Sequence, residues 1–439
     1  MKSITELLAP LNTLFGKRLN GIFHQVVFSS LSFTGMFSLT NLSRWTIGAK
    51  GSLRSIERFF SKPIDWAEVN FTILRDFLDK NTKVIIAFDE TVGKKAGKST
   101  YGVGKHFDNK SKKVIPSVAI LMLSLIIVQT KTSYSLCFKQ LLFPKKKKVN
   151  KPKEARKTDK KRSVGRPKGS KNKKKAEPAY TFTVLNQLLT TFVSKSLRLL
   201  SFLRVKYAVG DGGFANKTVA LFCKNAGLEL ISKLNYNSAL YFKSTEAHKT
   251  KPKKYGEKLD FNALNDDFLE TEKIENGYRT KIYNFPELWS RNFPTLLNVV
   301  VIWKECLADK KTSWVVLFST SKQIDFQNII TYYRTRFQIE FDFRDARQFF
   351  GLTNFKNIRE NQVTNVIGNA FCMSVLSKIL IQKLKKEEGL PIESFLDLKA
   401  YYRASKYIFE IKNMLEKKPT EYLLKGYLND MALIGAINT

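Results

Sequence analysis

Over the first 80 residues, hydrophobic positions recur at three- and four-residue steps. ITELLAPLNTLF (4–15), LRSIERFF (53–60) and AEVNFTILRDFL (67–78) each carry that period, which predicts amphipathic helices. Gly48, Gly51 and Ser61-Lys62-Pro63 separate them. At residue 83 the period changes. KVIIAFD (83–89) is a β-branched and aromatic run of the kind that makes a buried strand, and it ends on Asp89. On an extended chain the adjacent Glu90 points to the opposite face. ETVGKKAGKSTYGVGK (90–105) reads as a basic hairpin, and Val114–Val128 and Ser133–Phe143 as two further strands of a meander. TFTVLNQLLTTFVSKSLRLL (181–200) is an amphipathic helix. VKYAVGD (205–211) is a second strand ending on an acid, Asp211, with a helix from Asn216 to Asn225 and the strand LELISKL after it. Residues 235–325 are polar with strand-like pieces, RTKIYNF, TLLNVVVIW and SWVVLFS, and no long helix. Tyr333 to Arg347 has neither Pro nor Gly and predicts a helix. Helical spacing continues in NQVTNVIGNAFCMSVLSKILIQKL, PIESFLDLKAYYRASKYIFEIKNML and TEYLLKGYLNDMALIGA.

The pattern fails in residues 144–178, where almost no apolar side chain is available to pack a core. The stretch Lys145 to Lys175 holds 17 basic and 2 acidic residues, a charge of +15. The chain as a whole has 75 Lys and Arg against 38 Asp and Glu, or +37, so +22 lies elsewhere and no single tail explains the excess. A polyanion partner follows, and nucleic acid fits better than an anionic membrane surface beside so large a hydrophobic fraction. Gly165-Arg166-Pro167-Lys168-Gly169 resembles an AT-hook, whose Arg-Pro core lies in the minor groove of A·T-rich DNA, so Arg166 and Lys168 are candidate DNA contacts. The same lysines also suit a solvated linker that binds any anion, or a nuclear-import signal.

Other classes drop out. Cys137, Cys223, Cys306 and Cys372 are widely spaced and contain no CxxC, which argues against zinc and for reduced thiols in a cytosolic setting. His24, His106 and His248 are isolated. GKKAGKST imitates a phosphate-binding loop, but Gly93 and Gly97 have three residues between them where that motif needs four. No signal peptide is visible. The longest apolar run, Val114–Val128, is short of the roughly 20 residues of a membrane helix.

Three acids carry the chemistry. Two strands that end on Asp, with helices between, place Asp89 and Asp211 at one edge of a sheet, although Asp211 alone could merely cap its turn. At about 100° per residue from Tyr333, Arg336 falls near 300°, Glu340 near 340° and Arg347 near 320°, while Asp342 and Asp345 fall near 180° and 120°. One stripe therefore carries a phenol, two guanidinium groups and a single carboxylate, Glu340. A surface salt-bridge ladder, with Arg336 and Glu340 as an i,i+4 pair, has the same spacing. Carboxylates are the hard ligands that Mg²⁺ prefers, and arginines grip phosphate oxygens.

FDETVGKK, VGDGGFANK and the spacing Tyr333-xx-Arg336-xxx-Glu340 resemble, in order, the segments of a bacterial insertion-sequence transposase of the DDE type, in the branch with a Y-xx-R-xxx-E-xxxxxx-K signature. Arg347 stands in place of that lysine. The similarity covers roughly residues 83–355. The fold it implies is α/β: an RNase H-like mixed sheet core in three parts (81–143, 179–234 and 326–358). Around these parts the residue pattern puts a helical N-terminal domain (1–80), suited equally to reading DNA and to packing without contacts, the basic segment (144–178) interrupting the core, a β-rich insertion (235–325) before the third part, and a helical region (359–439) at the end.

The resemblance also implies that Asp89, Asp211 and Glu340 are catalytic and bind two Mg²⁺ ions, with Mn²⁺ as a substitute. Tyr333, Arg336 and Arg347 would hold the DNA near the cut. Double-stranded DNA, both element ends and target, would be the partner of a homodimer in the bacterial cytoplasm at the nucleoid, with no membrane. An RNase H-like endonuclease or resolvase without strand transfer shares the acids, and an inert DNA-binding protein derived from a transposon shares the charge.

Overall fold

Alternating and helical spacing translate into twenty-three regular elements in a computed structural model, which describes residues 2–47, 52–95, 97–108, 111–142, 180–244, 254–414, 421 and 425–426. The N-terminal part holds α1 (Lys2–Leu8), α2 (Asn12–Ser32), α3 (Leu39–Arg44), α4 (Leu53–Ser61) and α5 (Trp66–Arg75). Ser38, Ser52 and Asp65 cap α3, α4 and α5 by accepting from free backbone N–H groups in their first turns. The core begins with β1 (Val84–Lys94), β2 (Gly104–Asp108), β3 (Lys113–Ile127) and β4 (Thr132–Gln140). It resumes after the basic segment with α6 (Tyr180–Leu199), β5 (Tyr207–Val209), α7 (Lys217–Asn225) and β6 (Glu229–Leu234). Six strands follow: β7 (Leu240–Lys243), β8 (Tyr255–Lys258), β9 (Leu269–Glu275), β10 (Tyr278–Ser290), β11 (Leu297–Cys306) and β12 (Thr312–Ser319). The remaining helices are α8 (Phe326–Thr335), α9 (Gln338–Phe350), α10 (Glu360–Glu388) and α11 (Phe395–Met414).

One mixed sheet runs through the molecule in the order β2-β3-β1-β5-β6-β12-β11-β10-β7-β8, with β4 on β3 and β9 on β10. Strands β1, β3 and β4 form the expected antiparallel meander, while β5 lies parallel to β1, and β6 parallel to β5. A three-strand antiparallel meander continued by two parallel strands, with helices crossing between, is the RNase H-like arrangement. The 235–325 insertion extends this same sheet, because β12 pairs antiparallel with β6.

Three sequence expectations change in detail. Strand β1 does not stop at Asp89: it continues to Lys94, paired to β3 throughout, while β5 accompanies it only at Ile86 and Ala87. Asp89 thus lies just past the end of the parallel pairing rather than at a strand end. Residues 90–105 are no hairpin, since β2 pairs with β3. The Tyr333–Arg347 helix is two helices, α8 and α9, joined by a tightened turn. In that turn the amides of Phe337, Ile339 and Glu340 bond to carbonyls three residues back.

The N-terminal helices share a bundle with the C-terminal ones. Helix α2 packs on α11, and α4 and α5 pack on α10. Asn365 of α10 donates to the carbonyls of Phe60 (2.7 Å) and Lys62 (2.6 Å) and accepts from the Trp66 indole (3.0 Å). Gly368 is needed one turn on, where a Cβ would stand 2.2 Å from the Trp66 ring. Helix α10 is long and apolar enough to cross a membrane by length and composition, and here it is buried at the centre of that bundle. The segment 144–178, with Arg166 and Lys168, and most of TEYLLKGYLNDMALIGA lie outside the described residues.

Candidate active site

The pleat of β1 decides which side chains meet α8 and α9. Asp89 and Thr91 alternate onto one face. Arg336, at the α8–α9 turn, places its guanidinium Nη1 3.0 Å from Asp89 Oδ2, and its Nη2 lies 3.6 Å from Glu340 Oε1. One arginine therefore bridges the first and third acids of the sequence prediction, across 247 residues of chain in the case of Asp89. Asp89 also accepts from the Glu90 amide at 2.8 Å.

Asp211 follows β5. Its carboxylate accepts from the Gly213 amide at 2.9 Å, the capping role that a lone Asp at a turn would play, and its carbonyl accepts from the Ser232 hydroxyl at 2.7 Å. The preceding Gly210 permits the close approach of this turn to β1: a Cβ there would lie 2.4 Å from the Phe88 ring.

Charge shows how near the acids are. The Asp89 carboxyl is pushed up to about 6, first by burial; Arg336 opposes this, and the charges of Asp211 and Glu340 add to it. Glu90 is also shifted upward, by desolvation and then by Asp211. Burial raises the Tyr333 phenol; Arg336 lowers it, and Asp211 and Asp89 raise it again, so it remains a proton donor near neutrality. Asp89, Asp211, Glu340, Tyr333 and Arg336 are thus one electrostatic neighbourhood. An open cavity of about 820 Å³ adjoins it, lined by Asp211, Tyr333, Arg336, Lys233, Tyr236 and Trp314 among others. Arg336 itself lines that cavity, while its Nε is buried without a partner among the described residues.

Arg347 sits elsewhere on the stripe. Its guanidinium donates to the Thr91 hydroxyl and to the Val92 carbonyl (3.3 Å for the latter), fastening α9 to the far half of β1. Asp342, which the wheel set apart from Glu340, is buried, accepts from Ser124 at 2.9 Å and pairs with Lys378. It is a structural ion pair. Sequence reasoning missed Lys233, Tyr236 and Trp314 as cavity residues. The available signal was the alternation of SWVVLFS, which puts Trp314 and Val316 on one face.

Among the described residues no three His, Cys, Asp or Glu side chains close into a ready metal cage. The donor set nevertheless suits hard divalent cations: Asp89, whose proton affinity is raised by burial and by its acidic neighbours, is stabilised by any cation beside it, as Arg336 already shows.

Residues 23–271 match the family model described as DDE superfamily endonuclease. Residues 179–376 match the model described as Transposase DDE domain. The first match contains Asp89 and Asp211, and the second contains Asp211 and Glu340. No curated protein matches the chain. Among solved structures it is similar to a piggyBac transposase synaptic complex with hairpin DNA, at 11% identity and a TM-score of 0.39, covering 94% of this chain and 76% of that one.

Proposed function

The chain belongs to the DDE superfamily of endonucleases, and we propose that it is the transposase of a bacterial insertion sequence, acting on double-stranded DNA as a homodimer at the nucleoid. The observation that carries this reading is the single arginine, Arg336, shared by the first and third acids on elements far apart in the chain, with Asp211 near enough to act on Asp89. A surface salt-bridge ladder has no reason to gather a third carboxylate from a separate strand.

In this reading Asp89, Asp211 and Glu340 hold two Mg²⁺ ions, which Mn²⁺ can replace and which when bound supply an activated water and a counter-charge at phosphorus. Hydrolysis of a phosphodiester at the element's end leaves a 3′ hydroxyl. That hydroxyl then attacks a phosphodiester of target DNA, displacing one strand end as it joins another. Arg336 and Tyr333, which line the cavity, contribute a guanidinium to grip a phosphate oxygen and a phenol that stays protonated. Arg347, in place of the lysine of the Y-R-E-K signature, holds α9 so that Glu340 keeps its distance from Asp89. Arg166 and Lys168 of the basic segment add minor-groove contacts.

The test is cleavage of a duplex that carries the element's own end, in Mg²⁺ or Mn²⁺, by the wild type and by Glu340→Ala. Cutting at the junction and joined products from the wild type alone are expected. Cutting without joining would indicate a nuclease, and tight binding without cutting would indicate an inert DNA-binding protein.

A further inference from the structure

Strands β9, β10 and β11 present two very different faces. On one face the charges are paired internally: Arg279 with Glu272 and Glu305, and Lys281 with Asp266 and Glu272. On the other, the strand register sets Lys273 of β9 opposite Thr280 of β10, Thr280 opposite Lys304 of β11, and Lys304 opposite Ser313 of β12. Residues directly opposite in an antiparallel pair point to the same side, so these four form one row across four strands. Two lysines alternate in it with two hydroxyls, about 10 Å apart at the usual strand spacing. Helix α8 runs along the edge of this face and closes it into a groove of about 480 Å³, with Arg334, Gln327 and Thr331 on the opposite wall. Lys273, Lys304 and Arg334 are exposed and form no ion pair among the described residues. Glu275 is the acid in the lining.

We propose that this groove is a track for the sugar–phosphate backbone of the duplex flanking the cleavage site. The proposal rests on the DNA reading above. The chemistry fits a phosphate chain: unpaired cations supply the charge, and threonine and glutamine side chains supply neutral donors that position a backbone without reading bases. The location fits as well. Arg334 of the groove is next to Tyr333 and two residues from Arg336, so α8 carries contacts for the flanking DNA and for the cut on neighbouring faces of one helix. An unpartnered cationic row on a sheet whose other face neutralises its own charges is what an external polyanion would complete.

The experiment is fluorescence anisotropy of a labelled duplex with the full chain in Ca²⁺, titrated over a range of KCl. Each phosphate neutralised contributes about 0.9 to the slope of log K against log salt. For Lys273→Ala/Lys304→Ala/Arg334→Ala the magnitude of the slope should fall by about 2–3. Arg279→Ala/Lys281→Ala, on the paired face of the same strands, should leave it near the wild-type value. Lys273→Arg/Lys304→Arg should keep the full slope, which separates charge from fold damage. A triple variant with native circular dichroism and an unchanged slope would overturn the groove while leaving the transposase reading intact. A wild type with no salt-dependent DNA binding would overturn both.

Discussion

Gly210→Ala isolates the geometry of the site without touching an acid. The new methyl would lie 2.4 and 2.8 Å from two Phe88 ring carbons and 3.1 Å from Phe214 Cβ, where ordinary contact begins near 3.4 Å. Phe88 is fully buried and packs edge-on against Phe214 at 5.0 Å, so the ring has nowhere to rotate. The end of β5 must therefore retreat from β1 by about 1 Å, carrying Asp211 away from Asp89. Overpacking of this kind costs roughly 1–3 kcal/mol. A displacement of that size between groups that act together costs on the order of 100-fold in rate. Thermal unfolding and single-turnover cleavage, measured on the same preparation, read the two effects. Phe88→Leu/Gly210→Ala should recover part of both, because the smaller side chain frees space for the methyl, and a double-mutant cycle gives the coupling. Loss of stability with a wild-type rate would refute the claim that this glycine sets the spacing of the acids. A variant with neither effect would refute the close packing itself.

Further outcomes follow from the same contacts. Asp342→Asn should destabilise the protein by about 1–3 kcal/mol, since it takes the nearest counter-charge from the half-buried Lys378 ammonium; Asp342→Asn/Lys378→Met should recover much of that in thermal unfolding. Lys399 is buried against the Ser30 carbonyl and the Phe33 ring, and burial drops its ammonium from 10.5 to about 7. Between those two values the unfolded chain binds the proton and the folded chain does not, so stability should rise with pH from about 7 to 10.5, by roughly 5 kcal/mol at most, and be flat below. Lys399→Met should remove that slope; an unchanged profile would rule the residue out as its source. Arg347→Ala should lower cleavage and stability together while DNA affinity holds, whereas a loss confined to affinity would make it a DNA contact instead.

What the sequence determined by itself is local. A period of two in KVIIAFD and VKYAVGD and a period of 3.6 in the helices depend only on which neighbours a residue has, so the order of elements and the acids at Asp89 and Asp211 were legible. The helical wheel also separated Glu340 from Asp342 and Asp345, because side-chain direction on a helix follows from spacing alone. Tertiary structure decided everything that depends on distant partners. Only the approach of α9 to β3 and α10 makes Asp342 a buried ion pair with Lys378, and only the seating of Arg347 against Thr91 and Val92 turns it toward β1. Only the pairing of β12 with β6 makes the insertion an extension of the core sheet. The bundle that unites the first and last helices rests on contacts some 300 residues apart, such as Asn365 to Phe60 and Lys62, and no window of local sequence contains both partners. Register decided the groove on β9–β11 as well. Each strand alone alternates charge without preference, and only their alignment puts the paired ions on one face and the free lysines on the other.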